Sequence, residues 1–88
     1  MFLEPKSING FLAIIDNGNF EKAAKKLNIT TSALSIRMSS LEKTMGEKLL
    51  VRTRPFSLTQ AGEIFYEYAL EYKKMESSLK EKLTGIAE

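Results

Sequence analysis

Eighty-eight residues make one small domain, with room for a single hydrophobic core and little stability to spare. The chain has no cysteine and no histidine. That excludes a disulfide framework, thiolate metal sites, histidine general-base catalysis and most zinc centres. The net charge of +2 is too small to name a partner.

The first predicted helix covers residues 5–16. Pro5 suits a first helical turn, where no amide hydrogen is needed. Ile8, Phe11, Leu12, Ile14 and Ile15 form an apolar stripe at three-to-four spacing. Gly10 interrupts it, at a cost of about 1 kcal/mol against alanine, and is expected to admit a neighbouring backbone. Asp16-Asn17-Gly18-Asn19 is a turn cluster, and Asn19 can cap the next helix. That second helix, about 20–27, places Phe20, Ala23, Ala24 and Leu27 inward and Lys22, Lys25 and Lys26 outward. Asn28-Ile29-Thr30 breaks the pattern. A third helix follows, capped by Thr30 and stopped by Gly46, with Leu34, Met38, Leu41 and Met45 as its core stripe.

Leu49-Leu50-Val51-Arg52 and Phe56-Ser57-Leu58 are short strand candidates joined by Thr53-Arg54-Pro55, a turn where proline is at home. A hairpin directly after a helix-turn-helix is a wing. Thr59 then caps a long helix to about Leu83, some 37 Å at 1.5 Å per residue. Ala61, Phe65, Tyr68, Tyr72, Met75 and Leu79 alternate steps of four and three, a heptad seam. So long a stripe exceeds what a sixty-residue domain can cover, so the surplus calls for a partner chain.

Two helices joined by a tight turn over Phe20–Glu42 are the layout of a DNA-reading helix-turn-helix. The fold expected is mainly α: a winged helix-turn-helix, a three-helix bundle with a small β-hairpin wing, over residues 1–58, followed by a linker and dimerisation helix over 59–88. Charge follows the same division. Residues 1–58 hold nine Lys/Arg against five acids, and residues 59–88 four lysines against six glutamates. A basic front suits a face presented to phosphates. No apolar run approaches the ~20 residues of a membrane span. The opening MFLEPKSING, with an early glutamate and no long apolar stretch, is unlike a signal peptide. A cytoplasmic protein is expected. No spacing pairs a nucleophile with a base, and the scattered glycines form no phosphate loop. Neither an enzyme nor a cofactor or metal is expected.

These residues carry a family likeness. Phe11, Phe20 with Ala23-Ala24 and Leu27, Ala33-Leu34-Ser35, Leu41-Glu42, Gly46, Leu49, Arg52 and the junction Leu58-Thr59-Gln60-Ala61-Gly62 resemble the N-terminal DNA-binding domain of LysR-type transcriptional regulators. Leu50-Val51-Arg52-Thr53-Arg54-Pro55 is similar to the branch regulating basic amino-acid export. The resemblance implies transcriptional control, binding of double-stranded DNA at an inverted repeat, and a homodimer through antiparallel linker helices. Members of the family normally carry a larger C-terminal domain that binds a small-molecule inducer. Two departures from the family stand out. Thr31-Ser32 stands where a Gln-Pro pair is usual, and Ile36 where arginine or glutamine is common. Isoleucine can pack on a thymine methyl but cannot read guanine by hydrogen bonds.

The candidate DNA face is Thr31, Ser32, Ser35, Ile36 and Ser39, with Thr30 divided between capping and phosphate contact. A helix N-terminus itself favours phosphate. Arg37 lies about 100° beyond Ile36, placed between a flanking phosphate and an intramolecular pair. Arg52 and Arg54 are the wing's expected backbone or minor-groove contacts. Phe65, Tyr68, Tyr72, Met75 and Leu79 are the expected dimer seam. The rival is a protein-interaction module that keeps the helical dimer without DNA binding, to which the loss of long polar readers gives weight.

Overall fold

The computed structural model of the chain describes residues 3–87. The elements run α1 (Pro5–Asn17), α2 (Phe20–Lys26), α3 (Thr31–Met45), β1 (Leu50–Val51), β2 (Ser57–Leu58) and α4 (Gln60–Ala87). Each helix boundary has a local cause. Pro5 opens α1, and Gly18, at φ 81°, closes it by donating its amide to the Ile14 carbonyl. Asn19 Oδ1 accepts from the Lys22 amide at 2.7 Å, as its position before α2 predicts. At the end of α2, Asn28 takes φ 58°. Its amide donates to Lys25 and that of Ile29 to Ala24, a left-handed closure that asparagine tolerates better than most side chains. Thr30 Oγ1 caps α3 by accepting from the Ala33 amide at 3.0 Å, and Gly46 ends it at φ 76°.

The three helices close on Ile8, Phe11, Leu12, Ile14, Ala23, Ala24, Leu34, Met38 and Leu41, all buried. Burying one of the larger of these side chains is worth roughly 1.5–3 kcal/mol. Met45, at the end of the stripe, is only half-buried. Gly10 does not admit a backbone. A Cβ there would lie 2.9 Å from Met38 Cε and 3.2 Å from Leu34 Cδ1, so the gap is filled by α3 side chains.

The wing is shorter than predicted. Its antiparallel pairs are Leu50 with Leu58 and Val51 with Ser57. Leu49 and Leu50 both donate their amides to Glu42 Oε2, at 2.8 and 3.2 Å, which draws the start of the strand toward α3. Pro55 lies in the turn, its peptide bond with Arg54 cis.

Thr59 caps α4 as expected, accepting from the Gly62 amide at 3.0 Å while its hydroxyl donates to the Lys48 carbonyl. Gly62 is where α4 crosses the wing. A Cβ there would overlap the Leu49 carbonyl oxygen. Phe65 is the main correction to the expected dimer seam. It is 8% exposed and meets Phe11 edge-on at 4.9 Å, completing the core of its own domain. Ala69 is buried beside it, and Lys73 Nζ ties α4 to α1 through Asn9 Oδ1 at 3.1 Å. From Lys74 to Ile86 every residue is exposed. The helix, 28 residues long, spans about 42 Å and sets the long axis of a molecule measuring 48 × 26 × 20 Å.

Candidate nucleic-acid interface

Helix α3 buries Leu34, Met38 and Leu41 against α1 and α2, so its opposite face is open. Thr31, Ser32, Ala33, Ile36, Ser39, Ser40 and Lys43 are exposed. Ile36 is 70% exposed, about half a turn from the core stripe. The Thr30 oxygen already accepts the Ala33 amide, leaving its hydrogen as the group able to meet a phosphate. The backbone amides of Thr31 and Ser32 precede the first helical hydrogen bond and point out of the N-terminus, where an anion is favoured.

The wing folds back beside this face and puts its two arginines in different surroundings. Arg52 does not project from the hairpin tip. Its guanidinium donates to Ser35 Oγ at 2.6 Å, to Ser39 Oγ at 3.2 Å and to Glu42 Oε1 at 3.2 Å, with a longer contact to the Ser35 carbonyl. It also stands 5.3 Å from the centroid of the Phe20 ring, within cation–π range. Arg52, expected as a backbone or minor-groove contact on DNA, is thus held in the structure as a strut between wing and α3. Arg54 does reach solvent, its side chain 91% exposed, and pairs with Glu21 at 3.1 Å. An ion pair so exposed is worth little and is readily exchanged for a phosphate. Arg37 is half-buried on the shoulder of α3 beside α1. Its Cδ lies 3.5 Å from where a Gly10 Cβ would stand, and among the described residues its guanidinium has no ion pair.

Glu42 is the residue whose importance the sequence did not reveal. It is 5% exposed and accepts the Leu49 amide, the Leu50 amide and Arg52. Ser35, Ser39 and Glu42 fall at i, i+4 and i+7, one edge of a helix. That register was visible. What it faces was not, because the partner lies ten residues further along in a separate element. Phe20, the platform under Arg52, was read only as a core residue.

The second exposed surface runs along α4. Tyr68 (71%), Met75 (70%) and Leu79 (59%) are exposed, as are Ile64, Leu83 and Ile86. Tyr72 is half-buried, and its hydroxyl donates to Glu76 at 3.4 Å. Ile64, Tyr68, Tyr72, Met75, Leu79, Leu83 and Ile86 follow steps of four and three, so they form one stripe. It begins at Ile64, one position from the predicted start at Phe65. Among the described residues, no helix is long and apolar enough to cross a membrane.

Comparison with known proteins places this arrangement. Residues 6–63 match the family model described as bacterial regulatory helix-turn-helix protein, lysR family. The lysine export transcriptional regulatory protein LysG of Corynebacterium efficiens is 37% identical over 81 residues, 92% of this chain and 28% of that protein. The HTH-type transcriptional regulator YtlI of Bacillus subtilis is 36% identical over 86 residues, 98% of this chain and 28% of its own length. The chain therefore spans less than a third of the length of these relatives. Among solved structures, the BenM DNA-binding domain in complex with benA site 1 DNA superposes with a TM-score of 0.91 at 32% identity, covering 97% of both chains. The CbnR DNA-binding domain bound to DNA gives 0.88 at 28% identity, covering 98% of this chain and all of that one. Family model, relatives and superposition agree with the winged helix built above: the chain belongs to the lysR family of bacterial regulatory helix-turn-helix proteins and has the fold of their DNA-binding domains.

Proposed function

We propose that the chain binds double-stranded DNA in a sequence-specific way, as a homodimer on an inverted repeat, and serves transcriptional control in the cytoplasm. The observation that carries this reading is the open outer face of α3, which presents Thr31, Ser32, Ile36 and Ser39 beside the wing while its inner face holds the core. Likeness to two domains solved with DNA supports it. Residues 1–58 do the reading, and residues 59–88 do the pairing, with Phe65 and Ala69 of the second part serving the core of the first.

In this mechanism, phosphate contacts set register and base contacts specify. Arg54, the Thr30 hydroxyl and the free amides of the α3 N-terminus take phosphates, with Arg37 at the flank. Thr31, Ser32, Ser35, Ile36 and Ser39 face the major groove. The α4 stripe of Tyr68, Tyr72, Met75 and Leu79, extended by Ile64, Leu83 and Ile86, joins two copies. The function is equilibrium binding, with no catalytic step. Likeness to LysG supports a place among regulators of basic amino-acid export.

The test is titration of a random-sequence duplex between 50 and 200 mM salt. Phosphate binding gives a log–log slope of about −0.9 per contact. A folded dimer that binds no duplex at the lowest salt favours the protein-interaction module instead.

A further inference from the structure

Ser35 and Ser39 sit one turn apart on the edge of α3 that faces the wing, and one guanidinium serves both. Arg52 Nη1 donates to Ser35 Oγ at 2.6 Å, and Nη2 donates to Ser39 Oγ at 3.2 Å. A guanidinium has donors and no acceptor, whereas a hydroxyl has one hydrogen and two lone pairs. Each serine must therefore accept from Arg52, and its own hydrogen must point elsewhere. A helical serine commonly turns that hydrogen back onto the carbonyl one turn earlier, as Thr84 does onto Lys80. Among the described residues, neither Ser35 nor Ser39 donates to any protein group.

The guanidinium itself is held from other sides. Glu42 Oε1 accepts from it at 3.2 Å, while Glu42 Oε2 anchors the first wing strand through the Leu49 and Leu50 amides. The Phe20 ring covers it. Wing position, Glu42, Arg52 and the two serines thus form one connected hydrogen-bond chain. A hydroxyl that accepts a charge-assisted bond is polarised into a better donor.

We propose that Arg52 is a positioning residue for DNA reading: by engaging the Ser35 and Ser39 oxygens it turns both hydroxyl hydrogens outward, as a pair of donors about 6 Å apart along α3. The matching chemistry on DNA is a hydrogen-bond acceptor without a proton, either purine N7 in the major groove or a phosphate oxygen. Arg52 acts through the serines and touches no DNA itself. The proposal rests on the DNA-reading function assigned to α3.

The experiment is a double-mutant cycle on DNA affinity. A duplex selected by the wild-type chain and a random duplex are titrated with wild type, Arg52→Lys, the double variant Ser35→Ala/Ser39→Ala, and the three changes together. Lysine keeps a donor for Glu42 but cannot fork to both serines. Arg52→Lys should weaken the selected site by about three- to tenfold, the worth of one or two ordinary hydrogen bonds. The salt slope should stay unchanged; random-duplex affinity should hold if the acceptor is purine N7 and fall in parallel with the selected site if it is a phosphate; and Arg52→Lys should add nothing once the serines are alanine. Replacing purines by 7-deazapurines, or single phosphates by methylphosphonates, identifies the acceptor. One of the two should reproduce the loss in wild type and have no effect on the serine-free variant.

Additive losses, or a salt slope reduced by about one unit in Arg52→Lys, would overturn the proposal, since Arg52 would then act independently of the serines. Should the melting curve show that Arg52→Lys does not fold, the two modified duplexes still decide. Equal sensitivity to them in wild type and in the serine-free variant would also overturn it. Wild-type chain that binds no duplex at low salt would refute the DNA-reading function itself, a separate and recognisable outcome.

Discussion

Gly62→Ala isolates the junction on which the geometry of both surfaces depends. In an ordinary helix interior this change stabilises by about 1 kcal/mol. Here the added Cβ would overlap the Leu49 carbonyl oxygen and lie 3.0 Å from the Leu49 carbonyl carbon, where even close carbon–oxygen contacts are about 3.3 Å or longer. The neighbour is backbone, and it is pinned. The Leu49 carbonyl accepts the Thr59 amide at 3.1 Å, the Leu49 amide is held by buried Glu42, and its side chain is 2% exposed. Relief requires α4 to move off the wing, giving up the Thr59–Leu49 hydrogen bond. Overpacking costs typically 1–3 kcal/mol and the lost bond about 1. Against the propensity gain, the net is a loss of about 2 kcal/mol. For a domain this small that is about 10 °C in Tm, read by circular dichroism on heating. Gly85→Ala is the control on the same helix. Nothing lies within 4 Å of a Cβ there, so Tm should hold or rise. A Gly62→Ala chain as stable as wild type would refute the close crossing of α4 over Leu49.

Three further outcomes follow from the same contacts. Glu42→Ala strands two amides and a guanidinium, so about 3 kcal/mol should be lost in a urea titration, with Glu42→Gln milder because its carbonyl still accepts; unchanged stability would contradict the hub. Ile36→Ala should leave Tm unchanged and cost roughly 1 kcal/mol on a selected site, the burial of one or two methylenes against a thymine methyl. Uracil in place of that thymine should reproduce the loss in wild type and add nothing in the mutant, whereas additive losses would separate Ile36 from the methyl. Met75→Glu with Leu79→Glu, both on the exposed part of α4, should give a folded monomer by sedimentation. Wild type that is already monomeric at high micromolar concentration would contradict the dimer.

Much of the fold was legible because its signals are local. Asn19, Thr30 and Thr59 cap helices from one residue before them, and Gly18 and Gly46 stop helices by their own backbone freedom. Side chains whose partners come from a distant element were harder to place. Arg52 reads in the sequence as a backbone or minor-groove contact of the wing; only the folded hairpin brings it onto α3. Phe65 fits a heptad seam by spacing, but periodicity does not tell which turns of a long helix cover their own domain. The answer is set by where Gly62 lets α4 touch the wing, and it puts Phe65 on Phe11 and the free stripe one residue back, at Ile64. The exposed positions of Thr31, Ser32, Ile36 and Ser39 were legible, because an amphipathic helix with a clear core stripe leaves its other face determined.

The central claim is that the outer face of α3 reads DNA sequence, in two copies. Its most direct measurement is selection of bound duplexes from a random pool by the wild-type chain, repeated with Ile36→Ala. The account predicts enrichment of two half-sites in inverted orientation. Their centres should lie about one helical turn, or a multiple of it, apart, with a thymine in each half-site whose enrichment falls in the Ile36→Ala pool. Recovery of unenriched sequence by a folded wild-type chain, or of a motif that Ile36→Ala leaves untouched along with Ser35→Ala and Ser39→Ala, would contradict it.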